Sequence, residues 1–437
     1  MLDRLFQLKA NSTTVRSEVI GGVTTFAAMA YILAVNPAIL SNAGMPMPAL
    51  ITVTAIAAAL GCFLMAALTN YPIAQAPGMG TNSYFAFVIC LGSGLPWQAA
   101  LSLTFWNGIL FLLLSVSGVR RQIAESLPNG IKVGIQCGIG FFIAFLGLKS
   151  VDIVVGHQAT LVTIGDLKAP AALLVVGGVA LMTFLTLKKV SGAILISIVA
   201  ITVTGFFVSQ GGSPITQAPD GVVSAPAGIG ELFMKLDIFY PFTHFTEILD
   251  ELLTLLILDL FDSIGTLVGL SRRAKLVDSS GKMPKMGRAL TADSIATITG
   301  SLLGTSTTTS FIESAAGIES GGRTGLTSVV TGMCFLVALV FTPLILIIPA
   351  SATAPALVMV GIFMAQGLKE LNFDDLSEVA PAFITMLMIP LTFSITEGIG
   401  LGLLIYCLIM LLNGKGKEAP IFSYGITIVF IIYYAFR

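Results

Sequence analysis

Long apolar segments recur along the whole chain and are separated by short polar ones. Segments such as 21–35 (GGVTTFAAMAYILAV) and 327–348 (TSVVTGMCFLVALVFTPLILII) approach the roughly 20 residues that a helix needs to cross a bilayer. The pattern predicts fourteen spans, namely 18–36, 49–69, 75–92, 98–117, 131–148, 170–187, 190–208, 250–269, 289–304, 308–320, 326–349, 353–367, 379–395 and 397–413. The chain is therefore predicted to be an all-α polytopic membrane protein.

The composition supports this class, and the positions of the basic residues predict which loops face the cytoplasm. Of the 437 residues, 55% are hydrophobic and 10% are charged, whereas soluble domains carry about 25% charged residues. Basic residues precede span one and follow spans four, six and eight: Arg4, Lys9, Arg16, Arg120, Arg121, Lys132, Lys188, Lys189, Arg272, Arg273, Lys275, Lys282, Lys285 and Arg288. By the positive-inside rule we expect a cytoplasmic N-terminus in the cell membrane. Segment 419–436 is either a further span or an interfacial helix.

Short sequences occur twice in the same order, once in each half. Gly-Leu-Lys stands at 147–149 and 367–369, and Ala-Pro-Ala stands at 169–171 and 380–382. If spans one to seven repeat as spans eight to fourteen, the odd number of spans turns the second copy upside down. Such seven-plus-seven inverted repeats are typical of secondary transporters, which bind substrate where paired broken helices meet.

Spans three and ten are poor helices at corresponding positions. Span three begins QAPGMGTNSYFAF (75–87), with Pro77, Gly78 and Gly80 disrupting the helix and Asn82 just beyond them. Span ten begins GTSTTTSFIESAAG (304–317), which predicts a short extended segment. Irregular backbone at membrane depth is tolerated where it lines a cavity or is buried in protein. We expect two half-helices here with their N–H groups directed at a substrate, a kink absorbed by neighbouring helices being the alternative.

Carboxylates stand inside the predicted membrane helices. Asp259 and Asp262 belong to span eight, and Glu313 lies deep in span ten, which suits groups that face a cavity or carry protons. From its position near a basic loop, Asp293 is equally compatible with a structural role. Further along span ten, the spacing of Glu319 and Arg323 predicts a mutual salt bridge.

Six ordered segments, APGMGTNSYFAF, LFDSIGTLVG, ALTADS, GTSTTTSFIESAAG, GGRTGLTSVVTG and FSITEGIGLG, resemble the AzgA-like purine permeases of the nucleobase-ascorbate transporter superfamily. The resemblance implies a core domain (residues 1–130 and 249–350) and a gate domain (131–248 and 351–437), with purine bound between them. It also implies import of adenine, guanine or hypoxanthine by proton symport, an elevator-like movement of core against gate, and a homodimer.

The resemblance also assigns site residues. Those expected to contact the purine are Asp262, Glu313, Asn82, Phe311, Thr266 and Gly80; those expected to couple protons are Asp262, Glu313 and Asp293. Uracil and xanthine relatives have a histidine where this chain has Thr266, which favours the purine branch. Carboxylates would accept hydrogen bonds from purine N–H groups, Asn82 and half-helix N–H groups would donate, and Phe311 would cover the ring.

Three other functions fit parts of the pattern. An anion carrier of related fold would share the architecture, although two acids without a basic partner argue against an anion pocket. A membrane-embedded hydrolase could use Asp262 and Glu313 to activate water, and an ion channel is a further class. The sequence predicts no metal site, no cofactor other than the coupling proton, and no nucleic-acid partner.

Overall fold

A helix lies in every segment that the hydropathy pattern predicts to span a bilayer. The computed structural model describes residues 2–117, 128–219, 221–273, 276 and 283–436. Arg120, Arg121, Lys275 and Lys282, which enter the topology prediction, lie outside these residues. The helices before residue 220 are α1 (Leu2–Phe6), α2 (Val15–Met29), α3 (Ile32–Leu40), α4 (Met47–Thr69), α5 (Met79–Ser83), α6 (Trp97–Ser117), α7 (Asn129–Lys149), α8 (Pro170–Leu187) and α9 (Ala193–Gly205). Those after it are α10 (Tyr240–Thr243), α11 (Phe245–Arg273), α12 (Met286–Leu303), α13 (Ser314–Glu319), α14 (Gly325–Ala338), α15 (Thr342–Leu346), α16 (Ala350–Ala365), α17 (Leu376–Thr392), α18 (Ile395–Leu412) and α19 (Ile421–Phe436).

Several helices are long and apolar enough to cross a bilayer. Over the described ranges there are nine: Val15–Ala43, Met47–Thr69, Trp97–Ser115, Asn129–Lys149, Pro170–Leu187, Ile248–Ser271, Gly325–Leu346, Ala350–Glu370 and Ile395–Leu412. The undecided segment 419–436 contains helix α19, which packs on α18 through a 3.2 Å contact between Cys407 Sγ and Thr427 Oγ1. The architecture agrees with a polytopic membrane protein, and the crossing of all fourteen segments stays a prediction.

Short strands stand where spans three and ten begin. Within the described residues, six strands form three antiparallel pairs: β1 (Gln75–Pro77) with β6 (Thr308–Ser310), β2 (Val154–His157) with β3 (Leu161–Ile164), and β4 (Ser209–Gln210) with β5 (Ser213–Pro214). Pairing β1 with β6 confirms the predicted extended segments. Pro77 opposes helix in the first strand, and β-branched threonines favour extended backbone in the second. The strands lead towards α5, which continues as a π-helix to Cys90, and towards α13.

Strands β1 and β6 are each bonded to one long helix by two hydrogen bonds with the same side chain. On α4, Cys62 Sγ accepts from the backbone N–H of Gln75 (3.4 Å) and donates to its carbonyl (3.5 Å). On α12, Thr297 Oγ1 accepts from the N–H of Thr308 (3.1 Å) and donates to its carbonyl (3.2 Å). A buried backbone group without a partner is costly, so these side chains stabilise short strands that have no wider sheet around them.

The chain divides into two compact units. The first comprises Met1–Val116 and Ser150–Ala356, and the second comprises Ser117–Lys149 and Leu357–Arg437. Residues 150–248, which the resemblance assigns to the gate domain, therefore belong to the first unit. The units describe packing within the chain, and the division into core and gate domains by function stays a prediction.

Small residues let the helices of the first unit approach closely. Helix α14 packs against α4, and a Cβ added at Gly325 would stand 3.1 Å from the Cβ of Ala66. A Cβ at Gly332, two turns later, would stand 3.1 Å from the carbonyl oxygen of Ala59. Packing through small side chains is a main source of helix association in lipid.

In the second unit, α17 packs between α7 and α18. Gly134 lies against Ala382, whose Cα would be 3.1 Å from an added Cβ. Phe393 ends α17 in a left-handed conformation (φ 54°), and its ring meets the rings of Phe142 and Phe145 edge to face at 5.5 and 5.4 Å. These aromatic contacts offset the strain of that conformation.

Helix α2 holds the segment that follows α13. The fully buried Glu18 carboxylate accepts hydrogen bonds from the backbone N–H groups of Arg323 (3.0 Å), Thr324 (3.2 Å) and Thr327 (3.2 Å), and from the Thr327 hydroxyl (2.6 Å). A carboxylate at the start of α14 is favoured by the helix dipole. The guanidinium of Arg323 donates to the carbonyls of Ile318 (2.5 Å) and Gly322 (2.7 Å). Its predicted pairing with Glu319 stays a prediction.

Replacing Gly317 by alanine is expected to destabilise the contact between α2 and α13. An added Cβ would overlap the Thr25 hydroxyl and the carbonyl of Gly21. Overpacking of this kind costs about 1–3 kcal/mol. Gly177→Ala is the matched control, because a Cβ there meets no atom within 4 Å. Thermal unfolding in detergent should show a lower midpoint for the first variant alone; equal midpoints would contradict the close contact.

Candidate functional site

Glu313 stands at the N-terminus of half-helix α13, where its side chain is partly exposed. Its Oε1 accepts a hydrogen bond of 2.6 Å from the hydroxyl of Tyr31. The tyrosine is almost completely buried and lies at the break between α2 and α3. The distance is that of a charge-assisted bond. The structure therefore brings residues 282 positions apart into one site.

Asp262, on α11, lies at the N-terminus of α5, the half-helix of span three. Its Oδ2 accepts a 3.3 Å hydrogen bond from Thr309 Oγ1 on β6, and a Cβ added at Gly78 would stand 3.4 Å from the same oxygen. Gly78 is the N-cap of the helical run 79–90. A carboxylate at that end is favoured by the helix dipole, and Gly78 leaves the space for it.

Asp262 and Glu313 lie near each other. The charge of Asp262 acts on Glu313, and both side chains are partly exposed. By contrast, Asp259 and Asp293 are fully buried, and Asp259 Oδ2 accepts a 3.0 Å bond from Asn107 Nδ2. Of the four membrane acids discussed, Asp262 and Glu313 are thus the two whose side chains are partly exposed.

Asn82 lies in a buried layer of polar side chains. Its Nδ2 donates to Asn36 Oδ1, and its Oδ1 accepts from the hydroxyl of Ser306. Asn36 in turn donates to Thr54 (2.8 Å) and Thr305 (3.3 Å). The layer joins α3, α4, α5 and the loop before β6. In this conformation Asn82 positions these segments, and its predicted contact with a purine stays a prediction.

Asp293 is also buried and hydrogen-bonded. Its Oδ1 accepts hydrogen bonds from Gln75 Nε2 on β1 and from Ser310 Oγ on β6, the latter at 3.0 Å. One carboxylate thereby holds both paired strands against α12. The predicted role of Asp293 in proton coupling is untested, and its contacts show a structural task as well.

Asp293→Ala is expected to destabilise the fold. The substitution removes the acceptor of two buried donors, each of which costs about 1–3 kcal/mol when unsatisfied. Asp374→Ala provides the control, since Asp374 is exposed. The amount of folded protein and its thermal midpoint should fall for the first variant and stay unchanged for the second. An Asp293→Ala protein of normal stability would mean that the strands are held by other contacts.

The remaining predicted residues lie around the two acids. Gly80 in the first turn of α5 and Thr266 one turn beyond Asp262 are both partly exposed. Phe311 is buried, and its backbone N–H donates to the carbonyl of Ala74 (3.0 Å), which extends the pairing of the two strands. Its predicted position over a purine ring stays a prediction.

Sequence reasoning missed Tyr31, Asn36, Gln75 and Thr309. A signal for Asn36 was available, because a polar amide beside Pro37 inside an apolar span is rare and marks either a break or a site. Gln75 likewise stands directly before the Ala-Pro that opens span three. Tyr31 carried no such signal, since tyrosine is unremarkable in an apolar segment.

The geometry identifies the class of protein. Two interrupted helices whose extended ends pair at a polar, acid-bearing centre within a helical membrane protein are the arrangement of secondary transporters. The model of a family described as a permease family (Xan_ur_permease) matches residues 16–401. The chain belongs to this permease family, and it is accordingly a transport protein and not an enzyme.

Named relatives confirm the resemblance to purine permeases. The chain is 40% identical to adenine permease AdeP of Escherichia coli K12, covering 99% of this chain and 95% of the relative. It is 39% identical to guanine/hypoxanthine permease PbuG of Bacillus subtilis 168, covering 99% of this chain and 99% of the relative. The solved transmembrane domain of the cyanobacterial bicarbonate transporter BicA has a TM-score of 0.66 at 18% identity, over 88% of this chain and 97% of that one. That likeness concerns the fold alone.

Proposed function

We propose that the protein imports purine nucleobases by proton symport. The observation that carries the proposal is the pair Asp262 and Glu313, two partly exposed carboxyl groups at the starts of two half-helices. Relatives named as adenine and guanine/hypoxanthine permeases, similar over nearly their whole length, support the substrate class.

The chemistry of a purine matches these groups. Its ring and exocyclic N–H groups are donors, which carboxylate oxygens accept, and its ring nitrogens accept from N–H groups at the helix starts. Burying a charge in the membrane is costly, so an acid that gains a proton when it binds the base would lower the cost of moving the loaded site. Asp262 and Glu313 are the proposed carriers of that proton, with Asp293 as a third candidate.

We also propose that the chain forms fourteen spans in a seven-plus-seven inverted repeat, with a cytoplasmic N-terminus in the cell membrane. We propose further that it works by elevator-type alternating access and forms a homodimer. Support for the repeat comes from the equivalent anchoring of β1 by Cys62 on α4 and of β6 by Thr297 on α12. These helices and strands occupy the corresponding spans two, three, nine and ten.

Uptake of radiolabelled adenine, hypoxanthine and guanine in a host that lacks its own purine uptake tests the function. Saturable uptake that an acidic exterior stimulates and a protonophore abolishes is expected. A panel of unlabelled purines competing with hypoxanthine would then establish the preferred base. Sulfate or bicarbonate transport without any purine uptake would overturn the proposal in favour of the anion carrier.

A further inference from the structure

Tyr31 contacts Glu313 through its hydroxyl, while the rest of its side chain lies among apolar groups. The hydroxyl donates to Glu313 Oε1 at 2.6 Å. The tyrosine also lines an apolar cavity of about 150 Å³ together with Phe26, Ala30, Ala34 and Ile198. An apolar cavity offers a hydroxyl group no acceptor, so the bond to Glu313 determines where the hydroxyl points.

Both backbones of this pair are held in place. The Tyr31 carbonyl accepts from the N–H groups of Ala34 and Val35 (both 3.0 Å) at the start of α3. The Glu313 carbonyl accepts from the N–H of Ala316 (3.0 Å) in the first turn of α13. With the two ends fixed, the hydrogen bond selects one side-chain orientation of Glu313.

We propose that Tyr31 is a positioning residue for Glu313: it orients the carboxyl group towards the purine and stabilises its charged form. This inference rests on the proposed function. A carboxylate can accept about four hydrogen bonds, so the bond from Tyr31 leaves acceptor capacity for the purine. A donor to the charged form favours that form, so Tyr31 also sets the pH at which Glu313 takes up its proton.

In the described part of the chain, two titratable side chains act on Glu313. Tyr31 from the junction of α2 and α3, and Asp262 from α11, are the side chains that act on it. Glu18 and Arg323 lie at the far end of α13, where the Glu18 carboxylate accepts from the backbone N–H of Arg323 and the Arg323 guanidinium donates to the carbonyl of Ile318. A shift in proton uptake after a change at Tyr31 alone can therefore be assigned to the pair of Glu313 and Asp262, of which Glu313 is the one that bonds to Tyr31.

The test is purine binding by the purified full chain in detergent, measured with labelled hypoxanthine and adenine over a range of pH. Tyr31→Phe is expected to weaken binding about tenfold, as the loss of one hydrogen bond to a charged group implies. It should also move the midpoint of the pH profile to higher pH, because the carboxylate loses a stabilising donor. Tyr71→Phe is the control: Tyr71 is buried and its hydroxyl accepts a 3.3 Å bond from the N–H of Lys285, away from Glu313.

A second variant keeps the shape of the residue in case the phenylalanine variant does not fold. Incorporation of 3-fluorotyrosine at position 31 makes the hydroxyl a stronger donor, so the midpoint is expected to move to lower pH. Unchanged midpoints in both variants, or a shift shared with Tyr71→Phe, would overturn the role of Tyr31 while leaving purine binding intact. Absence of purine binding by the unmodified protein would instead overturn the proposed function.

Discussion

Glu313→Gln is expected to lower the affinity for purine about 10- to 100-fold and to uncouple uptake from the proton gradient. Glutamine has the size of glutamate and can still accept from Tyr31, so the change isolates charge and protonation. A hydrogen bond to a charged group contributes about 1.5–3 kcal/mol, and each 1.4 kcal/mol is a factor of ten in affinity. Labelled uptake with and without a protonophore, together with binding to purified protein, measures both effects.

Glu319→Gln is the matched control for this variant. Glu319 lies at the other end of α13 and is exposed, so the same chemical change there tests for a general effect on the half-helix. We expect normal uptake that a protonophore still abolishes. Wild-type affinity and coupling in Glu313→Gln would remove Glu313 from the site and leave Asp262 as the remaining partly exposed acid.

Asp262→Asn is expected to reduce purine affinity by a similar factor, about 10- to 100-fold. The carboxylate lies at the start of the helical run 79–90 and accepts from Thr309. An asparagine in this place still accepts from Thr309, but its amide N–H₂ opposes the N–H donors of a purine. The effect should therefore appear in binding more than in stability, as measured by comparing affinity with the thermal midpoint.

Asp259→Asn tests whether the acids of α11 act through contact with the base or through the packing of the helix. Asp259 stands three residues earlier on the same helix, is fully buried and accepts from Asn107. We expect this variant to lose stability while the protein that folds binds purine with normal affinity. If both variants lost affinity equally, the acids of α11 would act through the packing of the helix and not through contact with the base.

The sequence predicted the half-helices because their cause is local. Pro77 and the threonine- and serine-rich segment 305–309 disfavour helix whatever the rest of the chain is, so the interruptions can be predicted from these residues alone. The acids Asp262 and Glu313 were found for a similar reason: a charge in an apolar segment is exceptional and indicates a site.

The partners of these acids could not be predicted. Tyr31 bonds to Glu313 across 282 residues, and Gln75 bonds to Asp293 across 218. Neither pairing produces a periodic pattern or a compositional bias in the sequence. Asn82 illustrates the same limit, since nothing in the sequence indicated that its amide bonds to Asn36 and Ser306.

By itself, the sequence determined the membrane class, the helical segments, the two interruptions and the acids, because hydropathy and backbone preference act over a few neighbouring residues. Only the tertiary structure decided that β1 pairs with β6, that Tyr31 bonds to Glu313, and that Asn82 and Asp293 are held by buried hydrogen bonds. Those contacts depend on which distant segments pack together. Packing is a property of the whole set of helices and not of any one of them.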